Sequence, residues 1–188
     1  MQSKYLVGNT ENIAGIDWRV LAVENDKALL VSEKILEKRR YNVDYRATTW
    51  ETCTLRKYLN GEFYSGLGTA KSAVAETRNP NPSNPWYGTA GGNTTTDKVF
   101  LLSLGEVCSY FGDSAANLRT KGSTGSDYYI NDENNSARMA KGAWWWLRSP
   151  GHFGNYAAIV GAFGSVYVGG NFVKSCSGGV RPALWLNR

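Results

Sequence analysis

The sequence predicts an α+β domain: short helices packed on small antiparallel sheets, joined by long irregular loops. Three observations carry this expectation. Gly is abundant, at 21 of 188 residues, and aromatics reach 13%; that much Gly breaks long helices, whereas short strands and tight turns use both residue types. Only 20% of residues are charged, and a disordered chain would be poorer in Trp and Tyr. Apolar residues recur in short runs, some with the period of two that marks strands and two with the spacing of a helix face. The length fits one domain spanning residues 1–188. A chain of that size buries roughly 70% of its unfolded surface and needs no metal or disulfide to hold a core.

Taken in order, Ile16 to Val23 alternates around Trp18 and Val20, with Leu21 between the inward positions. Ala28 to Ser32 follows the turn-like Glu24-Asn25-Asp26-Lys27, and the two runs read as a β-hairpin. Thr54 to Tyr64 reads as an amphipathic helix with Leu55, Tyr58 and Leu59 on one face and Asn60-Gly61 as its stop. The Asn-, Pro- and Gly-rich stretch Asn79 to Asp97 reads as a long irregular loop, unusual in a compact domain unless it is functional or decorates a surface. Val99 to Leu102 leads, buried, into a second short helix. There Ser103 and Glu106 match a capping box, Val107, Tyr110 and Phe111 supply the apolar face, and the helix ends near Gly112. Asp113 to Gly142 reads as a polar surface insertion. Ala143 to Arg148 and Gly179 to Leu186 read as strands; in the first, Trp144 and Trp146 share the core face and Trp145 takes the other.

Between those strands lie the 32 residues Ser149 to Val180, with eight Gly. In a pleated hairpin Val160, Val166, Val168 and Val173 would face a core, and Ile159, Gly161, Ser165, Tyr167, Phe172 and Lys174 would face away.

Composition narrows the function. The net charge is +5, and Lys34, Lys38, Arg39 and Arg40 form the one concentrated basic stretch. No basic recognition helix accompanies it, so no nucleic-acid partner is expected. No apolar run approaches the ~18–20 residues of a membrane span, and Met1 to Asn12 lacks the apolar centre of a signal peptide. The expectation is therefore no membrane insertion, and a place in a phage virion, in the cytoplasm or as the displayed part of a larger assembly. Cys53, Cys108 and Cys176 show no CxxC spacing and suggest neither a zinc site nor a disulfide framework. His152 is the sole histidine, too few for a histidine metal cluster and without nameable partners for a triad. Gly164 to Gly170 lacks the strand–turn–helix setting of a phosphate cradle. Asn131 to Asn135 offers oxygen ligands suited to Ca²⁺ but not EF-hand spacing, and a solvated loop is the simpler reading. No cofactor, metal or catalytic residue is expected. The Trp144-Trp145-Trp146 run could stack on sugars, although core packing explains it more simply.

Several segments together resemble a known family. They are Trp18 to Val23, Leu55 to Tyr64, Asp97 to Ser103, Trp145-Trp146-Leu147-Arg148-Ser149-Pro150-Gly151 and Gly179-Val180-Arg181-Pro182-Ala183-Leu184-Trp185-Leu186. The series is similar to a bacterial and phage domain family with a C-type-lectin-like fold, akin in topology to formylglycine-generating enzymes, and it covers nearly the whole chain. Some members are variable proteins of diversity-generating retroelements, in which error-prone copying at adenines rewrites the 3′ end of the gene. Asn codons altered this way reach no Glu, Gln, Lys, Met or Trp. Those five types make up 29 of 188 residues, so about five would fall in Ser149–Val180 by proportion; only Lys174 does.

The resemblance implies a non-enzymatic ligand-binding domain with its variable region at about 149–178, binding a protein or cell-surface ligand. The implied ligand-binding residues are His152, Phe153, Gly154, Asn155, Tyr156, Ile159, Gly161, Phe163, Ser165, Tyr167, Gly169, Phe172 and Lys174. Rigid aromatics of this kind give contact area at low entropic cost, as in a paratope. The alternative is an invariant lectin-like adhesin that binds a glycan through exposed aromatics. An enzyme of the formylglycine-generating kind fits less well, since none of the three cysteines matches that family's functional ones.

Overall fold

The computed structural model describes residues 5–187. Of the polar segment Met1 to Asn12, residues 1–4 thus lie outside the described residues. The architecture is α+β, dominated by sheet. β1 (Thr10–Ile13), β2 (Ile16–Glu24) and β3 (Lys27–Ser32) form an antiparallel meander, and β12 (Ala183–Asn187) pairs with β3 to complete a four-stranded sheet. The expected β2–β3 hairpin is present, with Glu24 paired to Lys27 across its turn. Its alternation breaks once. A bulge between Val20 and Ala22 lets Leu21, expected outward, turn inward and become buried, because an extra residue on one strand re-aims the side chains beside it.

A six-stranded sheet carries the rest of the core, in the order β4 (Glu37–Lys38), β11 (Gly179–Val180), β8 (Trp145–Pro150), β9 (Tyr156–Val160), β10 (Val166–Phe172) and β7 (Tyr129–Ile130). The segment Gly179 to Leu186 is therefore two strands in two sheets. Arg181-Pro182 is the joint: proline has no N–H to continue a ladder, and the buried Arg181 guanidinium donates to the Ser32 carbonyl at 2.8 Å and lies 5.0 Å from the Trp145 ring centroid. Burial pushes the Arg181 pKa down to about 10, which still leaves it a cation at neutral pH.

The first helix starts at α1 (Thr54–Tyr58), where the Cys53 sulfur accepts a hydrogen bond from the Arg56 N–H and caps the helix. It does not stop at Asn60-Gly61. It widens into a π-helical stretch, Leu59–Phe63, and resumes as α2 (Tyr64–Gly66). Asn60 is occupied elsewhere: its side chain accepts from the N–H groups of Lys98 and Val99 and donates to the Val99 carbonyl, which ties the helix to the buried run before α3. A 3₁₀ segment, Gly68–Ala73, follows. α3 (Leu104–Tyr110) has both hydrogen bonds of the expected capping box.

Two further expectations are corrected. Asp113 to Gly142 is no surface insertion: it supplies α4 (Ala115–Arg119), the edge strand β7 and α5 (Asn135–Arg138), and it buries Ile130 and Arg138 completely. Trp145 does not point outward to solvent. It and Trp146 occupy opposite sides of β8, and both are fully buried. Trp145 meets Phe111 of the α3 side, while Trp146 meets Tyr41 and donates to the Arg39 carbonyl. A strand in the middle of a sheet with both faces covered is apolar throughout.

Candidate functional site

The hairpin expectation holds on its inner side: Val160, Val166, Val168 and Val173 are fully buried. On the other side Ile159 and Gly161 are corrected, since both are buried. Register explains Ile159, which lies between Trp146 on β8 and Tyr167 on β10 and is covered by their side chains. Gly161 sits under the Tyr167 ring, 2.9 Å from where its Cβ would be.

The remaining candidates separate into two patches at opposite ends of β9, roughly 13 Å apart by strand rise. At the hairpin tip, Phe163 is the most exposed large apolar residue among the described residues, at 78%, Tyr167 stacks on Tyr129 at 5.1 Å, and the Ser165 hydroxyl donates to Asn131 at 3.0 Å. The tip is held from beneath by Arg138. Its fully buried guanidinium donates to the Gly164 carbonyl at 2.8 Å, to Ser114 at 2.9 Å, and to Asp132 and Asn135 at 2.6 and 2.7 Å. The oxygens of Asp132 and Asn135 that had suggested a calcium loop thus face an internal cation. Among the described residues no group of three or more His, Cys, Asp or Glu is placed to hold a metal ion.

At the open end, six rings form a continuous arc. Tyr87 stacks on His152 (4.1 Å between centroids) and His152 on Phe153 (4.2 Å); Phe153 meets Tyr156 (5.5 Å), Tyr156 meets Phe172 (4.5 Å), and Phe172 meets Tyr45 (5.5 Å). Phe153, Tyr45 and Phe172 are 55, 51 and 43% exposed. Lys174 lies over Tyr45 and Lys121 over Tyr87. The other candidates of this end are main-chain elements. Gly169 accepts from the His152 N–H at 2.7 Å, Asn155 from Val173 at 3.0 Å, and Gly154 from Thr48 at 2.8 Å.

Tyr45, Tyr87 and Lys121 were not expected from the sequence, because each comes from a segment distant in the chain. Tyr45 is brought in by the run from Tyr41 to Thr48, whose Asn42 N–H donates to Val173. Tyr87 is brought in by the loop between β5 (Thr77–Asn79) and β6 (Thr95–Asp97). The buried Asn84 anchors that loop, donating to the carbonyls of both Pro150 and Val168 at 2.8 Å, and Thr89 donates to the His152 carbonyl at 2.7 Å. Burial foremost, then nearby Tyr128 and Asp127, raises the pKa of Tyr87; burial and Tyr45 raise that of Tyr156. Both phenols therefore stay neutral hydrogen-bonding groups.

The glycines of this region divide sharply. Gly164 and Gly170 have φ of +85° and +74°, and a Cβ on either would overlap a backbone carbonyl, of Asn135 and Ala157 respectively. The candidates Gly154, Gly161 and Gly169 lack positive φ: a Cβ at Gly169 would make an ordinary contact with the Tyr87 hydroxyl at 3.5 Å, one at Gly161 would push the Tyr167 ring edge at 2.9 Å, and one at Gly154 would press the Ala47 Cβ at 3.1 Å. Of the thiols, Cys53 and Cys108 are buried and Cys176 is exposed; burial pushes the first two up to about 12, so neither is a thiolate at neutral pH.

Among the described residues no helix is long and apolar enough to cross a membrane. No curated protein and no solved structure matches the chain. A family described as a domain of unknown function (DUF6273) matches residues 25–188, which takes in the β2–β3 turn, the whole six-stranded sheet and all six rings of the arc. The chain belongs to that family.

Proposed function

We propose that the chain is a non-enzymatic binding module of C-type-lectin-like fold whose C-terminal hairpin carries a changeable ligand surface, as in the variable proteins of diversity-generating retroelements. The observation that carries the reading is the division of the hairpin into positions that cannot change and positions that can. Gly164, Gly170 and the four inward valines are fixed by backbone overlap and core packing. Phe153, Phe163, Tyr167 and Phe172 project outward, Gly169 has room for a Cβ, and at Gly161 the part-exposed Tyr167 ring is the group that would shift. A scaffold of this kind lets the surface vary while the supporting shell stays in place.

Catalysis is not part of the proposal. The His152 ring is engaged on Tyr87 and Phe153, and two of the three thiols are held protonated. The partner is a protein or cell-surface ligand, with no role for nucleic acid or membrane insertion.

The test is the nucleotide sequence around the gene. The expected result is a near-copy of its 3′ segment that differs at adenines, beside a reverse-transcriptase gene. An intact locus without such a copy overturns the diversification and leaves an invariant adhesin.

A further inference from the structure

The arc at the open end of the hairpin stacks three of its six rings face to face. Tyr87 and His152 are 19° from parallel, and His152 and Phe153 are 8° from parallel, each pair about 4 Å apart. Two rings cannot lie parallel at that distance on one face of a third, so they cover both faces of His152. Phe153 then turns an edge contact toward Tyr156 at 64°. A sugar binds an aromatic by laying its C–H face on an open ring face, and in this ladder both faces of His152 and one face each of Tyr87 and Phe153 are taken. Ring edges carry the positive end of the aromatic quadrupole. They suit packed apolar side chains and the oxygens of carbonyls and carboxylates.

Charge adds a second, independent constraint. Lys121 lies 4.8 Å from the Tyr87 centroid at one end of the arc, and Lys174 lies 5.7 Å from the Tyr45 centroid at the other. Both lysines are exposed, and neither makes an ion pair among the described residues. The nearby Asp44 is matched by Arg46 at 3.6 Å.

We infer that the arc binds a protein surface, not a glycan: a short apolar or aromatic stretch flanked on both sides by carboxylates, its centre on Phe153, Tyr156 and Phe172 and its acids on Lys121 and Lys174. This rests on the reading of the hairpin as a ligand surface, and it extends that surface to Tyr45, Tyr87 and Lys121, which lie outside the C-terminal segment. Those residues would set a constant preference for acidic flanks, while the hairpin residues set the choice within it.

The test uses the full chain as bait for a displayed library of random 16-residue peptides, with a Phe153→Ser/Tyr156→Ser/Phe172→Ser variant as counter-bait. The expected winners carry Asp or Glu on both sides of a Leu-, Trp- or Tyr-containing centre. Their binding should weaken about fivefold or more with Lys121→Glu and again with Lys174→Glu, and should fall as salt rises. Both lysines are exposed, so the variants should keep the wild-type melting temperature, which is measured alongside. No enrichment over the counter-bait, winners without acidic flanks, or winners indifferent to both charge reversals would each overturn the inference. So would binding of hyaluronan or polygalacturonate that the triple variant loses. That last outcome replaces the ligand class yet keeps the binding surface, whereas failure of the surface's diversification is read separately from the gene locus.

Discussion

Asn84 donates to the main-chain carbonyl of Val168 at 2.8 Å, and the same amide group reaches the Pro150 carbonyl at 2.8 Å. One buried side chain thus fastens the Pro- and Asn-rich loop to two strands of the central sheet. The length of that loop, which marked it as either functional or decorative, has a structural purpose. It carries Tyr87 across to His152 and forms one wall of the aromatic arc.

Replacing Asn84 by Ala should therefore do two things. It strands two buried carbonyls, which costs about 1–3 kcal/mol, measurable as a lower urea midpoint. It also frees the loop, so amide hydrogen exchange should quicken at Trp86 and Tyr87, whose N–H groups bond to the Asn84 side-chain oxygen. Exchange there that matches the wild type would show that the loop is held by other contacts.

The hairpin glycines offer a sharper comparison. Gly154→Ala, Gly161→Ala and Gly169→Ala should each change stability by less than about 1 kcal/mol. Gly164→Ala and Gly170→Ala should lose about 2 kcal/mol or more, since each combines positive φ with a backbone overlap. Thermal melts of the five variants decide it. Equal losses in both groups would remove the distinction on which a changeable surface depends.

Side-chain removal should follow the same division. Replacing Phe153, Phe163 and Ser165 together by Ala should move the melting temperature little, because Phe153 and Phe163 are 55 and 78% exposed and surface changes of this kind are usually small. Trp146→Ala should cost about 3–5 kcal/mol through the cavity it opens, with the Arg39 carbonyl left unpaired as well. Val166→Asp should prevent folding, because it buries an unpaired carboxylate. A large loss from the triple variant would mean that these residues support the core.

The inward valines were legible because a period of two needs only the strand itself. Ser103 and Glu106 were legible for the same reason, since a capping box closes within four residues. What the sequence hid depends on contacts between distant segments. Arg138, Arg148 and Arg181 are all buried, yet arginine is ordinarily a surface residue, and nothing local distinguishes these three. Their partners are carbonyls and carboxylates supplied from other elements: Gly164 for Arg138, Leu101 and Glu106 for Arg148, and Ser32 for Arg181. The polar run from Asp113 to Gly142 looked like an insertion because its function is to surround Arg138 with oxygen. Trp145 was placed correctly by alternation but wrongly by exposure, because the chain does not announce that both faces of β8 are covered. The arc was half legible. Its hairpin rings follow one another in sequence, whereas Tyr45 and Tyr87 arrive from segments docked by Asn42 and Asn84.

The Arg138–Asp132 pair makes a prediction about acid. Burial alone would raise the Asp132 pKa. Hydrogen bonds from Ser114, Arg138 and Asn117, together with the Arg138 charge, outweigh it and hold the carboxyl below its ordinary value. A carboxylate whose pKa is lower folded than unfolded stabilises the fold fully above its unfolded pKa, near 4, and loses that contribution as pH falls through the folded value. Asp132→Asn removes the charge and leaves a fully buried guanidinium with neutral partners, so it should cost about 3 kcal/mol at pH 7. The gap between wild type and variant should then narrow below about pH 4, as the wild-type carboxyl takes up its proton. Urea midpoints of both proteins from pH 7 down to pH 2.5 test this, and the Arg19–Glu33 pair, present in both, cancels in the difference. A gap of constant size would show that Asp132 holds Arg138 by hydrogen bonding alone, and that the hairpin tip above it does not depend on the charge.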